Sequence, residues 1–368
     1  MGRDIRAAVL NAAPGRLELE TLTIDDPGPD EVLVRVINAG LCHSDLHEIN
    51  GTFETEVPIV LGHEAAGVVD AVGSNVTGVA VGDHVLTCLS VFCGTCRYCT
   101  GGRLTLCENR AALTSGRARP RLVNSAGVSV RPTSALGGFA EAMVVHRNSI
   151  VVISDAVPFH SASIVGCAVT TGLGAVFRSA EVKPGTSVAV IGTGGIGIAA
   201  IQGARIAGAA QIIAVDVVPE KLSAAMTFGA THTVNSREVD PVEAVRDITG
   251  GGVDYSFEAV GNHATVEQGM AMLRPAGVCT VVGMVPDRTP IQVLGSELFF
   301  KEKRLQGSFM GSNQFKVDVP RYLDLYRQGR LLLDEMVSAH VSLDDINAGF
   351  DLMVGGTATR VVADVGSL

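Results

Sequence analysis

Residues 188–197 read Val188-Ala189-Val190-Ile191-Gly192-Thr193-Gly194-Gly195-Ile196-Gly197, a short apolar run that breaks on glycine and continues as G-x-G-x-x-G. An uncharged run of small and β-branched residues suits a strand buried on both faces, as in parallel sheets. In the loop that follows, Gly192 permits a tight turn, Gly194 lets the backbone approach a pyrophosphate, and Gly197 allows close packing of helix on strand. With Gly195 and Ile196, these residues open a helix whose N-terminal N–H groups and dipole favour a phosphate. The next apolar run, Ile212 to Val215, ends in Asp216, about twenty residues beyond the glycines, where a carboxylate accepts hydrogen bonds from the adenosine ribose. Asp216 repels a 2′-phosphate, and Val217 and Val218 offer no arginine to hold one, so NAD is expected rather than NADP. Lys221 also falls within reach of the ribose. A glycine-rich turn beside a surface aspartate is the plainer alternative.

Outward from this loop, buried-type strands alternate with helical stretches: a helix near 196–207, another over Pro219–Phe228, then strands at 253–256 and 278–282. That alternation predicts a doubly wound parallel sheet over 169–308. Before it, alternating apolar and polar residues around turn signals, as in Val32-Leu33-Val34-Arg35-Val36 after Asp26-Pro27-Gly28-Pro29, read as antiparallel strands. After Gly311 come helices near 319–328 and 343–353 and a strand over 360–365. The expected arrangement is one domain from residues 1–168 and 309–368, interrupted by a second, inserted domain. The turn-rich segment from Cys107 to Phe139, with Arg117, Arg119 and Arg121 around Pro120, fits either a functional loop or a solvated excursion.

The 368 residues suffice for two cores. Their formal net charge of −10, with basic residues interspersed, argues against a nucleic-acid partner. No apolar stretch is long enough to span a bilayer, and the N-terminus lacks the pattern of a signal peptide, so no membrane association and a cytoplasmic location are expected. Eight cysteines in such a chain point to metal or thiol chemistry.

Cys93, Cys96, Cys99 and Cys107 form C-x2-C-x2-C-x7-C, a spacing that wraps one tetrahedral zinc and leaves no coordination position open. The same spacing could hold an iron–sulfur cluster, but a lobe isolated between sheet-rich segments and a second candidate site make zinc the better choice. Cys88 and Cys279 stand in apolar surroundings and read as core residues. Cys42, in Gly40-Leu41-Cys42-His43-Ser44-Asp45-Leu46-His47, His63, in Gly62-His63-Glu64-Ala65-Ala66-Gly67, and Cys167 are plausible ligands of a second metal. Their separation in sequence does not establish that they converge.

Taken together, the Gly62 to Val69 run, the Cys93–Cys107 lobe, Gly166-Cys167 with Thr170-Thr171-Gly172, the glycine loop with Asp216, and Thr359-Arg360 resemble the zinc-containing medium-chain alcohol dehydrogenases. The resemblance extends over essentially the whole chain. It implies an α/β fold in which a GroES-like, mostly antiparallel β catalytic domain carries an inserted Rossmann domain. It further implies hydride transfer between a small alcohol or aldehyde and NAD, with two zinc ions per subunit. Cys42, His63 and Cys167 then match the ligands of a catalytic zinc, and Glu64 the glutamate behind the metal. Asp45 matches the carboxylate that orients the histidine ligand, and Ser44 and His47 a proton relay. His43 and Arg360 match contacts to the pyrophosphate, while Thr171 and Val282 match the nicotinamide end. Phe53, Leu89, Met284 and Phe309 fall at substrate-lining positions, and their apolar character suggests medium-chain, terpenoid or benzylic primary alcohols.

Three alternatives accompany this reading. Thiol-adduct formaldehyde dehydrogenases place an acid and an arginine near the pocket mouth, where this chain has Phe53 and Ala111, with Arg110 one residue off. A nicotinoprotein dehydrogenase would keep its NAD permanently bound. A non-catalytic NAD-binding relative would lack the complete set Cys42, His63, Cys167, Ser44 and His47. The resemblance also implies a homodimer, associating through the edge of the Rossmann sheet near 278–285, since the long segment from Cys107 to Phe139 is similar to that of dimeric members.

Overall fold

In a computed structural model, which describes residues 2–115, 117–356 and 358–367, the chain divides into two compact units. The first comprises Met1–Cys167, Gln314–Asp324 and Leu333–Leu368; the second comprises Ala168–Asn313 and Leu325–Leu332. The expected boundary at 309 is therefore displaced: residues 309–313 belong to the second unit, and the chain re-enters it over 325–332. Backbone and side-chain bonds between Gln202 and Leu332 hold that second crossing, and Gln202 is fully buried.

The first unit is built of mostly antiparallel β-structure. Arg3–Leu10, Leu17–Ile24, Leu122–Asn124, Ser129–Pro132 and Ile59–Val60 close a small barrel. A larger sheet runs in the order Ile150–Val152, His84–Thr87, Glu64–Val72, Glu31–Gly40, Arg360–Asp364, Val337–Ser342, with Ala142–His146 also on Glu31–Gly40. The apolar faces of both pack into one core around Leu10, Leu22, Val34, Leu61 and Phe139.

The second unit holds six parallel strands in the order His232–Asn235, Gln211–Asp216, Ser187–Ile191, Val253–Glu258, Leu273–Val281, Arg304–Gly307. Ser187–Ile191 is buried along its whole length, as the apolar run Val188 to Ile191 requires. The order reverses between Ser187–Ile191 and Val253–Glu258, the point at which doubly wound sheets bind ligands beyond the strand ends. Leu273–Val281 lies inside the sheet, which ends on that side in Arg304–Gly307, so residues 278–281 do not form the sheet edge where they were expected. Among the described residues no single helix is long and apolar enough to cross a membrane.

The segment from 107 to 139 is no solvated excursion. After the helix Arg110–Ser115 it supplies two barrel strands, and its arginines converge on Glu31, which is buried. Arg121 places Nε 3.1 Å and Nη2 2.6 Å from Glu31 Oε1, while Arg117 meets Oε2 and also reaches Asp25 Oδ2 at 2.6 Å. Arg119, by contrast, is largely exposed. Removing one member of a buried ionic knot leaves the others uncompensated. Glu31→Ala is expected to lower stability by about 3–5 kcal/mol in chemical denaturation, whereas Arg119→Ala shifts it by no more than about 0.5 kcal/mol.

Candidate zinc and dinucleotide sites

The strand Glu31–Gly40 leads into Cys42, the N-cap of a short helix, His43–Ile49, that carries Ser44, Asp45 and His47. His63 stands at the mouth of Glu64–Val72. It follows Gly62, whose φ of +89° and position, where a Cβ would lie 2.7 Å from the Phe139 ring, exclude any side chain. Cys167 ends the turn Ile164–Gly166. The ligand atoms of Cys42, His63, Glu64 and Cys167 all lie within 4.8 Å of one another, and all four residues are buried.

Asp45, fully buried, organises this cluster. Its Oδ2 accepts the Cys42 N–H at 3.2 Å, while Oδ1 accepts the Gly62 N–H at 3.1 Å and lies 3.2 Å from His63 Nδ1. One carboxylate thus fixes both ligand-bearing turns and leaves His63 Nε2 buried without a partner among the described residues. Two thiols, one free imidazole nitrogen and a nearby carboxylate form a donor set suited to zinc with an open position.

Hydrogen bonding from Cys167, aided by His63 and Arg360, holds the Cys42 thiol well below its usual range. The same pairing, with burial, pushes Cys167 well above it. Burial disfavours the His63 cation, but the Asp45 and Cys42 charges outweigh it and raise the imidazole well above its ordinary value. For Glu64, burial dominates and pushes the carboxyl up to about 8, against the pull of Arg360. Arg360 itself is buried, with Nη2 on Glu64 Oε2. That pairing was not legible in the sequence, where Arg360 stood only as a pyrophosphate contact.

Cys93, Cys96, Cys99 and Cys107 form the other ligand group, also within 4.8 Å. Cys93 Sγ accepts N–H bonds from Thr95 at 3.4 Å and Cys96 at 3.3 Å, and Cys107 Sγ accepts the Cys93 N–H at 3.3 Å. The Thr95 hydroxyl and these amides bring the Cys93 thiol down to about 5, while burial pushes Cys99 up to about 12. Amide donors aimed at sulfur favour thiolates, the form that binds metal.

In the second unit, the helix Gly195–Ala207 begins directly after Gly194, where a Cβ would project into open space. At Gly197 a Cβ would fall 1.8 Å from the Gly192 carbonyl oxygen, so the loop tolerates only glycine there. Asp216 Oδ2 accepts the Thr193 N–H at 2.7 Å and its hydroxyl at 2.8 Å, and Oδ1 accepts the Val217 N–H at 2.7 Å. The carboxylate therefore stands over the glycine loop, and Lys221 lies half-buried in the first turn of Pro219–Phe228. A glycine loop half-buried over 194–196, a helix N-terminus and a strand-end acid fit a dinucleotide.

The remaining candidates divide between the units. His43 is exposed; Ser44 Oγ lies 3.7 Å from Cys42 Sγ; the His47 ring stands 5.0 Å from that of Phe53. Leu89 packs against the core of the first unit. In the second, Thr171 is buried with Oγ1 3.6 Å from Met310 Sδ, and the Val282 N–H donates to the Glu258 carbonyl at 2.9 Å. Met284 and Phe309 are about half exposed there.

Residues 28–155 match the alcohol dehydrogenase GroES-like domain, and residues 195–327 the zinc-binding dehydrogenase domain. The NDMA-dependent alcohol dehydrogenase of Amycolatopsis methanolica is 36% identical over 97% of this chain and 98% of its own length. Alcohol dehydrogenase B of Mycobacterium tuberculosis is 36% identical over 94% of both. The chain belongs to the zinc-dependent alcohol dehydrogenase family. The crystal structure of benzyl alcohol dehydrogenase from Acinetobacter calcoaceticus superposes with a TM-score of 0.92 at 33% identity, over 99% of this chain and all of that one. As a zinc-dependent alcohol dehydrogenase the protein is an oxidoreductase acting on a small molecule, which disposes of the non-catalytic reading.

Within such an enzyme, loss of a carboxylate that orients a histidine ligand weakens metal binding about 10–100-fold. Asp45→Asn is expected to release zinc from one site to a competing chelator at correspondingly lower chelator concentration, while the Cys93–Cys107 site keeps its affinity.

Proposed function

We propose that this dehydrogenase interconverts medium-chain, benzylic or terpenoid primary alcohols and their aldehydes, using NAD and two zinc ions per chain. The observation that carries the proposal is the buried convergence of Cys42, His63 and Cys167 beside Glu64. These three residues would hold the catalytic zinc, and Cys93, Cys96, Cys99 and Cys107 the structural one. When bound, zinc supplies a Lewis acid that makes an alcohol hydroxyl acidic near neutral pH, and NAD supplies the hydride acceptor.

The chain's own residues do the rest. Asp45 at His63 Nδ1 keeps the Nε2 lone pair directed at the donor cluster. Ser44 Oγ takes up the substrate hydroxyl proton as it gives its own hydroxyl proton toward His47. His47, three residues on and so on the same helix face, passes it to solvent. By the resemblance, the glycine loop from Gly192 to Gly197, Asp216 and Lys221 would bind the adenosine diphosphate portion, His43 and Arg360 are assigned to the pyrophosphate and Thr171 to the nicotinamide, and Val282 is a further cofactor contact.

The substrate class is supported by the apolar character of Phe53, Leu89, Met284 and Phe309 and by the likeness to a benzyl alcohol dehydrogenase. Against a thiol-adduct substrate, Phe53 and Ala111 carry no charge, and Arg110 Nη2 is turned to the Thr105 carbonyl at 2.7 Å. We further assign the protein to the cytoplasm, in keeping with eight free cysteines, and to a homodimer. The open sheet edge Arg304–Gly307 and the exposed Leu294, Phe299 and Phe300 support the dimer.

Cys42→Ala is expected to lose one of two zinc ions by elemental analysis and to abolish turnover. In an NAD-reduction screen, benzylic and medium-chain alcohols are expected to exceed ethanol in kcat/KM by about tenfold or more, since each buried methylene is worth about 1–3 kcal/mol. Activity confined to formaldehyde plus a thiol would refute the substrate assignment.

A further inference from the structure

Glu258 ends the strand Val253–Glu258, across the order reversal from Ser187–Ile191, and is fully buried. Its Oε1 accepts the Val260 N–H at 2.9 Å and the Gly261 N–H at 2.8 Å and lies 2.7 Å from Thr265 Oγ1. Oε2 is buried with no partner among the described residues. A buried carboxylate with one bare oxygen is a costly choice, because a neutral side chain would also accept hydrogen bonds.

Two turns meet at this residue, and a third packs on one of them. The Glu258 carbonyl accepts the N–H groups of Val282 and Gly283, each at 2.9 Å. A Cβ on Gly283 would lie 2.2 Å from the Gly261 nitrogen and 2.6 Å from Glu258 Oε2. A Cβ on Gly192, the first residue of the glycine loop, would lie 2.7 Å from Val260 Cγ2. The turn at 259–261 thus touches both Gly192 and Gly283; the Glu258 side chain bonds that turn, and its backbone carbonyl bonds the turn at 282–284.

In a doubly wound sheet the two halves each serve one half of the dinucleotide, and Asp216 stands in the adenosine half. Glu258 stands in the other. We propose that Glu258 is a positioning residue for the nicotinamide end of NAD, holding the turns 259–261 and 282–284 in the shape that receives it. The proposal rests on the NAD reading above. Hydrogen bonds to a carboxylate are charge-assisted, so the isosteric amide Glu258→Gln would keep the volume and loosen the turn 259–261, against which Gly283 packs.

Isothermal titration of the zinc-loaded, full-length protein with NAD and with ADP-ribose, which lacks only the nicotinamide, tests this. For Glu258→Gln the Kd for NAD is expected to rise about tenfold, the scale of one charge-assisted hydrogen bond, with that for ADP-ribose changed less than about twofold. Thr265→Val, which deletes a single donor and leaves the backbone bonds intact, is expected to show the same selective loss at about threefold, and it decides the matter if Glu258→Gln does not fold. Equal weakening of both ligands, or no change in either, overturns the proposal. Failure of the unmodified protein to bind NAD would instead overturn the cofactor assignment on which it rests.

Discussion

The metal-binding geometry of the first unit hangs on a single carboxylate. Asp45 is wholly inaccessible, yet it faces three nitrogen atoms from two segments that are distant in sequence, the Cys42 turn and the Gly62-His63 turn. A buried carboxylate is tolerable only when such donors surround it. The converse also holds: two backbone N–H groups and an imidazole left without Asp45 would be equally unstable. The ligand cluster is therefore held by mutual necessity, before any metal contributes. Charge balance extends the same logic, with Arg360 set against Glu64 and His63 set between Asp45 and Cys42.

Glu31 repeats this arrangement at the far end of the same strand. Its two oxygens gather Arg117 and Arg121 and the Gly28 N–H, drawing a long segment of irregular chain onto the sheet. The exposed pairs Arg16–Asp351 and Arg6–Asp344 have comparable distances but sit in water, where such contacts contribute little. The distinction lies in burial rather than in the number of ion pairs. Buried acids knit this unit together across sequence gaps that the barrel strands alone, some only two to four residues long, would leave loosely closed.

Local signals were the readable ones. The glycine loop, the strand-ending Asp216 and the four closely spaced cysteines each encode their geometry within a few residues, and Cys88 and Cys279 lie in cores as their apolar neighbours suggest. The strands His232–Asn235 and Arg304–Gly307 left no pattern, because HTVN and RLQG are held chiefly by backbone pairing to a neighbour already in place. The helix over Phe315–Arg327 begins earlier than its periodicity indicates, since Pro320 masks a first turn that Asp318 closes by accepting the Gln314 N–H. Long-range pairings such as Arg360 with Glu64, or Arg121 with Glu31, carry no local signature at all.

The two halves of the parallel sheet solve one problem in the same way. Where strand order reverses, the loops leaving adjacent strands diverge, and their backbone N–H groups face a crevice with no strand partner. Asp216 ends a strand on one side and accepts the N–H groups of Thr193 and Val217; Glu258 ends a strand on the other and accepts those of Val260 and Gly261. Each acid thus satisfies donors that the sheet cannot, and each does so from the position where a ligand would contact the loop. Neutral residues at these strand ends would leave the loops to find water instead. The crevice is shaped before any ligand arrives, and that preorganisation lowers the ordering cost of binding.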